Sequence, residues 1–307
     1  MKTPGRSAVC LSVSIVILAV LGLAGCGRAP QQQEDPAFWN ELRSRRDLAG
    51  KRYPGTNEPS APARLVWDLS AAKKVEYRYD QELVVAGRLT GSAATEHHKV
   101  RRMVGVQAAL TLSGGEAGAA RLDLKRTALR SKPIASESGG RETLELAARF
   151  AGAAGASMTP QGRVSGPAGE WLLDLLLALP GRPLTVGGRA DAPVRLTFNL
   201  IGAPLDISGT CKTTLTGYVR IDNRVCARLE TRLDTSRAAA GQEGEPTCAA
   251  KGLRVAYFDL HDGSLVSAHL VVLMGETALD ERQGKKVTMT AFATLERMPK
   301  AKPVETR

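Results

Sequence analysis

Five cysteines and four histidines are the side chains of this 307-residue sequence best suited to nucleophilic, redox or metal chemistry. His97 and His98 are adjacent at the start of an alternating segment. His261 stands in the turn sequence His261-Asp262-Gly263, and His269 alternates with Val271 and Leu273 as an ordinary strand residue would. No CxxC and no histidine pair at ligand spacing accompanies them, so the sequence predicts no metal site. A G-x-S-x-G elbow, an H-E-x-x-H helix and a P-loop are absent from the sequence, and the glycine-rich stretches read as turns, not phosphate cradles. Acid pairs such as Asp280-Glu281 fall in loops. The reading is of a protein with no catalytic residues and no cofactor, that is, not an enzyme.

One cysteine has a different chemistry. Lys2 and Arg6 precede an apolar stretch from Ala8 to Leu23, broken only by Ser12 and Ser14. The stretch is short for a membrane span and lacks a charged stop-transfer flank, which reads as a cleaved signal. It closes on Leu23-Ala24-Gly25-Cys26, which resembles the lipobox of bacterial lipoproteins. The resemblance covers the first 27 residues and implies cleavage before Cys26, with a diacylglyceryl group on its thiol. Each buried methylene of such chains contributes about 0.8 kcal/mol, so several acyl chains hold a protein firmly at a membrane. Gly27 follows, not the aspartate that retains many such proteins in the inner membrane, which implies the outer membrane. The alternative is an ordinary secretory signal whose cleavage site happens to precede a cysteine.

The formal charge is +11, two of it from Lys2 and Arg6. A secreted chain does not meet nucleic acid, so the partners compatible with this balance are anionic envelope surfaces such as lipid headgroups or lipopolysaccharide phosphates. The alternative is a basic surface that is merely solvated.

The elements that must position any site are mostly strands. Aromatic residues make up 4% of the chain, leaving Leu, Val and Ala to build the core, and 31 glycines with 16 prolines suit many turns. The organisation read from this is a signal over 1–25, a lipidated terminus and flexible linker over 26–64, a single antiparallel β domain over 65–298 and a basic tail over 299–307. Within the linker, a short helix is expected over 36–48, with Asp35 as N-cap and Phe38, Trp39 and Leu42 on one face. From Leu65 the apolar residues alternate: Val75, Tyr77, Tyr79, Leu83 and Val85; Val104, Val106, Ala108, Leu110 and Leu112; Leu144, Leu146, Ala148 and Phe150. The pattern predicts a mainly β (α+β) fold, a large curved antiparallel sheet or half-barrel of about ten to twelve strands. Because sequence neighbours tend to pair, a curling meander is its simplest topology.

One segment departs from the alternation. Residues 167–179 carry Trp171, Leu172, Leu173, Leu175, Leu176, Leu177 and Leu179, with Glu170 and Asp174 as their polar stripe. A helix this apolar is buried on most sides, and the concave face of a curved sheet is its natural seat. It is expected as a permanent plug or as a lid over an apolar ligand, and in the second case Trp171, Leu172, Leu175 and Leu176 would line the cavity.

Cys211, Cys226 and Cys248 would sit in an oxidising compartment. A three-residue loop at Asp222-Asn223-Arg224 would set Ile221 opposite Val225, pointing Cys211 inward and Cys226 outward at opposite ends of the hairpin. A disulfide needs Cα atoms within about 7 Å, which leaves Cys211 to Cys248 as the preferred bridge. The alternative is that all three stay reduced.

The body also resembles bacterial envelope lipoproteins with a large curved antiparallel sheet, through Trp67-Asp68-Leu69, Leu179 to Gly187 and the hairpin Asp259 to Val266. At fold level it is similar to lipoprotein-carrier half-barrels of the LolA type. The expected function is a membrane-anchored envelope lipoprotein with a structural or partner-binding role. The alternative is a carrier of lipid or another apolar ligand between the sheet and helix 167–179.

Overall fold

The computed structural model describes residues 40, 53–57, 59, 61–90, 97–115, 118–133, 156–165, 171–200, 203–235, 250–280 and 285–299. Of the expected helix over 36–48 only Asn40 is described, and it is helical. The alternating segment Leu144 to Phe150 lies outside the described residues, as do the signal, Cys26 and the end of the basic tail.

Alternation builds the first half of the molecule as expected. In β1 (Lys74–Thr90), Tyr77, Tyr79 and Leu83 are buried while Glu76, Arg78 and Glu82 are exposed. In β2 (His97–Gly114), Val106, Ala108, Leu110 and Leu112 do the same, and β3 (Ala120–Pro133) adds Leu122 and Leu124. A tight hairpin of β4 (Ala156–Met158) and β5 (Val164–Ser165) follows, then helix α1 (Trp171–Leu177). The second half is a run of strands: β6 (Arg189–Leu200), β7 (Ala203–Ile221), β8 (Arg224–Asp234), β9 (Ala250–Asp259), β10 (Ser264–Asp280) and β11 (Lys285–Arg297).

These strands form one antiparallel sheet of 11 strands in the order β5-β4-β3-β2-β1-β11-β10-β9-β8-β7-β6. Two meanders therefore lie side by side, joined where the first strand pairs with the last, Tyr79 opposite Leu295. Between the meanders the chain passes through α1 to the far edge. The sheet does not close into a barrel, yet its edges approach each other at one end. There Arg163, in the β4–β5 turn, donates Nη2 to the Pro193 carbonyl of β6 at 3.3 Å. A single apolar core joins the leucines of α1 to residues of β1–β4 and β6–β11, an arrangement that requires a sheet curled about its helix. Under α1 the strands β9 to β11 present Ala256, Ala268, Ala291 and Ala293, all fully or almost fully buried. Small side chains there leave the width that the leucines fill.

The β7–β8 hairpin corrects the expected register. Its turn has two residues, Asp222 and Asn223, with φ of 46° and 64°, and sets Ile221 opposite Arg224. Positive φ at both central residues is the geometry that matches the twist of paired strands, and Asp and Asn tolerate it. A bulge between Leu215 and Gly217 then shifts the face on which residues lie. Leu215 and Tyr218 join the main core, while Val219, Ile221 and Cys226 pack on the outer face with Val255 and Tyr257.

That outer cluster is covered by chain that the sequence reads as linker. Tyr53 meets Tyr257 edge to face, with ring centroids 5.0 Å apart. The Thr56 N–H donates to the Tyr218 carbonyl at 3.1 Å, and Arg220 N–H donates to Pro54 at 3.0 Å. Ala63 pairs with Leu184 in both directions and is buried. The folded body thus takes in residues 53–57 and Ala63, ahead of Leu65.

Candidate functional site

The apolar helix was the sequence's main candidate for a ligand cavity, and the structure shows what surrounds it. Leu172, Leu173, Leu176 and Leu177 have no accessible surface, and Leu175 is 6% exposed. A void wide enough for water would leave accessible surface on the side chains that line it, so none touches those four leucines. Trp171 begins α1, but its side chain lies outside the described atoms.

The end of α1 has an unusual set of partners. The last four carbonyls of a helix have no acceptor role inside it, and here those of Leu175 to Ala178 meet two side chains from elsewhere. Arg254 of β9 donates Nη1 to Leu175 and Leu176 at 2.9 Å each and to Ala178 at 2.5 Å. Trp67 donates its indole N–H to Leu177 at 2.9 Å. Arg254 is 1% exposed, with Nη2 donating to Thr231 at 2.8 Å and Nε lacking an acceptor. Burial lowers its pKa to about 10, which still leaves it charged at neutral pH. Its counter-charge is the negative end of the helix dipole.

The other end of α1 and its neighbours are tied as firmly. Asp174 accepts from the Val164 N–H of β5 at 3.0 Å, and burial raises its pKa. Trp67 donates its backbone N–H to Pro160 in the β4–β5 turn at 2.8 Å and meets Tyr77 and Phe258 edge to face. In that turn Gly162 has φ of 75°, and a Cβ there would lie 1.9 Å from the Leu177 carbonyl oxygen. Only glycine permits the hairpin to close on the helix end.

The remaining sequence candidates do not converge. Cys211 is half-buried against the core and Cys226 is fully buried in the outer cluster; both are free cysteines, and Cys248 lies outside the described residues. Burial pushes the Cys211 thiol up to about 11 and the Cys226 thiol to about 12, so neither is an activated nucleophile. Cys26 also lies outside the described residues. His97 and His98 pair with Thr90 and Leu89, and His269 is opposite Val255. Among the described residues no three His, Cys, Asp or Glu side chains come together as metal ligands.

A second constellation, which the sequence reading passed over as a hairpin element, lies at the turn end of the sheet. Asp259, at the end of β9, has no exposed side-chain surface. Its Oδ1 accepts the backbone N–H groups of His261 and Asp262 at 3.0 Å, and its Oδ2 accepts Arg224 at 2.9 Å and Arg297 at 3.3 Å. Asp262 accepts the same two guanidiniums at 2.7 and 2.9 Å, and its carbonyl accepts Lys73, which also pairs with Asp68 at 3.2 Å. Burial works against the Asp259 and Asp262 carboxylates. The N–H donors and guanidiniums outweigh it and hold both below the usual range. Gly263, with φ of 57°, turns its carbonyl to the Asp68 N–H at 2.7 Å.

Beside this network is an open cleft of about 620 Å³. Its polar lining is Asn57, Asn223, Arg224 and His261, and its apolar lining is Pro59, Val225 and Leu260. It is bounded by the Asp222-Asn223 turn, the turn after Asp259 and the chain that covers the outer sheet face.

No protein-family model matches this sequence, and no curated protein matches it. A solved structure of lipovitellin, concerned with its lipid–protein interactions, is similar over 76% of this chain and 26% of its own, at 13% identity and a TM-score of 0.38. This chain spans about a quarter of that protein's length, and a likeness of this degree transfers no function.

Proposed function

We propose that this chain is a lipid-anchored protein of the bacterial cell envelope, held through Cys26 at the outer membrane. In this reading its curled sheet is a solid, non-enzymatic binding body with α1 as a permanent plug. The observation that carries the choice of plug over carrier is the sealing of α1. Four of its five leucines have no accessible surface, and its four terminal carbonyls are taken by Arg254 and Trp67. Lifting the helix as a lid would strand a buried cation and those carbonyls, at about 1–3 kcal/mol for each unpaired group. Without Lys2 and Arg6 of the signal the balance of +11 becomes +9, which suits a body working beside anionic envelope surfaces.

The anchor is tested by growth with labelled palmitate and detergent-phase partitioning. Wild-type protein is expected to take up label and enter the detergent phase, and Cys26→Ser to do neither. Label retained by the serine variant, or absent from both, would contradict the tether. The plug is tested separately by native mass spectrometry, for which bare protein is expected and co-purified lipid would restore the carrier reading.

A further inference from the structure

We propose that the cleft beside Arg224 binds a phosphate monoester carried on a small apolar group. This gives the binding body a chemistry and does not rest on the lipid anchor.

Arg224 is the centre of the case. Its Nη1 is occupied by both Asp259 and Asp262, at 2.9 and 2.7 Å, and this two-carboxylate clamp fixes the guanidinium plane. Nε and Nη2 have no acceptor among the described residues, and the side chain is 40% exposed while that of Asp259 has no exposed surface. The network hides the Asp259 carboxylate, leaves Asp262 23% exposed, and shows the free edge of Arg224. Around the same cleft, the His261 imidazole and the Asn57 and Asn223 amides have no side-chain partner among the described residues. Four of the lining side chains can donate hydrogen bonds.

A planar guanidinium edge recognises an oxyanion through two parallel hydrogen bonds. Further donors from three other residues exceed what the two oxygens of a carboxylate accept, and they match the three terminal oxygens of a phosphate monoester. The facing wall of Pro59, Val225 and Leu260 offers nothing to a bare ion but suits an apolar ester group. A volume of about 620 Å³ falls in the range of small-molecule sites. Rigidity adds to the fit. The Asp222-Asn223 turn, the Asp259 N–H bonds and the pairing of Gly55 with Val219 hold all three sides without a ligand. Of the donors Arg224 is the one fixed in advance by its carboxylates, and it loses little freedom on binding.

The test titrates the full chain, in neutral maltoside micelles, with phenyl phosphate followed by calorimetry. Saturable binding is expected, with inorganic phosphate competing and neutral phenyl glucoside not competing. His261→Ala and Asn223→Gly touch none of the ion pairs, and glycine accepts the φ of 64° at residue 223. The double variant is expected to keep the wild-type unfolding midpoint and to bind about tenfold more weakly or worse. Arg224→Gln, which disturbs the network as well, is expected to abolish binding. Competition by phosphatidic acid vesicles would assign the phosphate to a lipid headgroup, and competition by glucose 6-phosphate to a soluble ester. No saturable binding, equal affinity for phenyl glucoside, or unchanged affinity in the double variant would overturn the proposal. The palmitate result bears on none of these outcomes.

Discussion

Arg254 is a charged side chain in the middle of an apolar core, without a carboxylate beside it among its hydrogen-bond partners. Its stability comes from geometry: one nitrogen shared among three carbonyls, a second on Thr231, and the helix dipole end-on. Arg254→Met keeps most of the volume and removes every donor. It is expected to cost about 3–5 kcal/mol, because removing one side of a buried polar pairing leaves the other side unsatisfied. Urea unfolding would show this as a lower midpoint at unchanged slope. The role of this residue was not legible in the sequence. Both faces of β9 are apolar, Ala256 and Phe258 on one and Val255 and Tyr257 on the other. Alternation there cannot say which face is the concave one, and nothing local marks residue 254 as a partner of a helix 76 to 79 residues away. Cys226 does lie on the outer face, but together with Val219 and Ile221, which the expected register placed on the inner one.

Among the elements, α1 and the turn after β9 carry opposite lessons. The helix announced itself, since seven successive residues rich in leucine admit no exposed face. The structure gives it as Trp171–Leu177, within the expected 167–179. Leu176→Ala would leave a cavity in a core where this side chain is fully buried, and a loss of about 2–5 kcal/mol in thermal or urea unfolding is expected. The β9–β10 turn reads from sequence only as an Asp-Gly hairpin, because the arginines that complete it come from β8 and β11. Its carboxylates give it a pH signature. Asp68, Asp259 and Asp262 all have folded pKa values below the unfolded 3.8. The unfolded chain therefore binds more protons, and the contribution of the turn is complete above about pH 5 and is lost as pH falls through the lowered values. Acid titration of stability should show a falling limb below about pH 4, and Asp259→Asn should flatten it while lowering the neutral-pH plateau. An unchanged limb would remove the turn from the account. The register of β7–β8 was illegible for a related reason: a two-residue turn and a bulge at residue 216 each shift parity by one, and neither leaves a mark in hydrophobic spacing.

For the molecule as a whole, strand neighbours in sequence are neighbours in space at every pairing but one, β1 with β11. That economy is why a curved antiparallel sheet was readable from period two alone. What alternation does not encode is how far the sheet curls. Curling is fixed here by α1 filling the concave face and by Arg163 bridging the two edges. Nor does a polar, proline-rich stretch such as Tyr53 to Pro62 reveal that part of it lies on the sheet, since Tyr53 supplies one of the few apolar contacts and backbone pairing supplies much of the rest. The resulting picture is a body packed about its helix, proposed to hang from an acylated amino terminus, with a cleft of mixed lining between the Asp222-Asn223 turn, the turn after Asp259 and the chain over the outer sheet face.

Native-state hydrogen exchange of the α1 amides tests this account most directly, because a plug and a lid differ in how the helix opens. The amides of Leu175 to Ala178 are expected to exchange only through global unfolding, with the same denaturant dependence as buried amides of β9 and β10. Exchange of α1 through a separate, lower-energy opening while the sheet stays protected would contradict the plug and make the helix a gate.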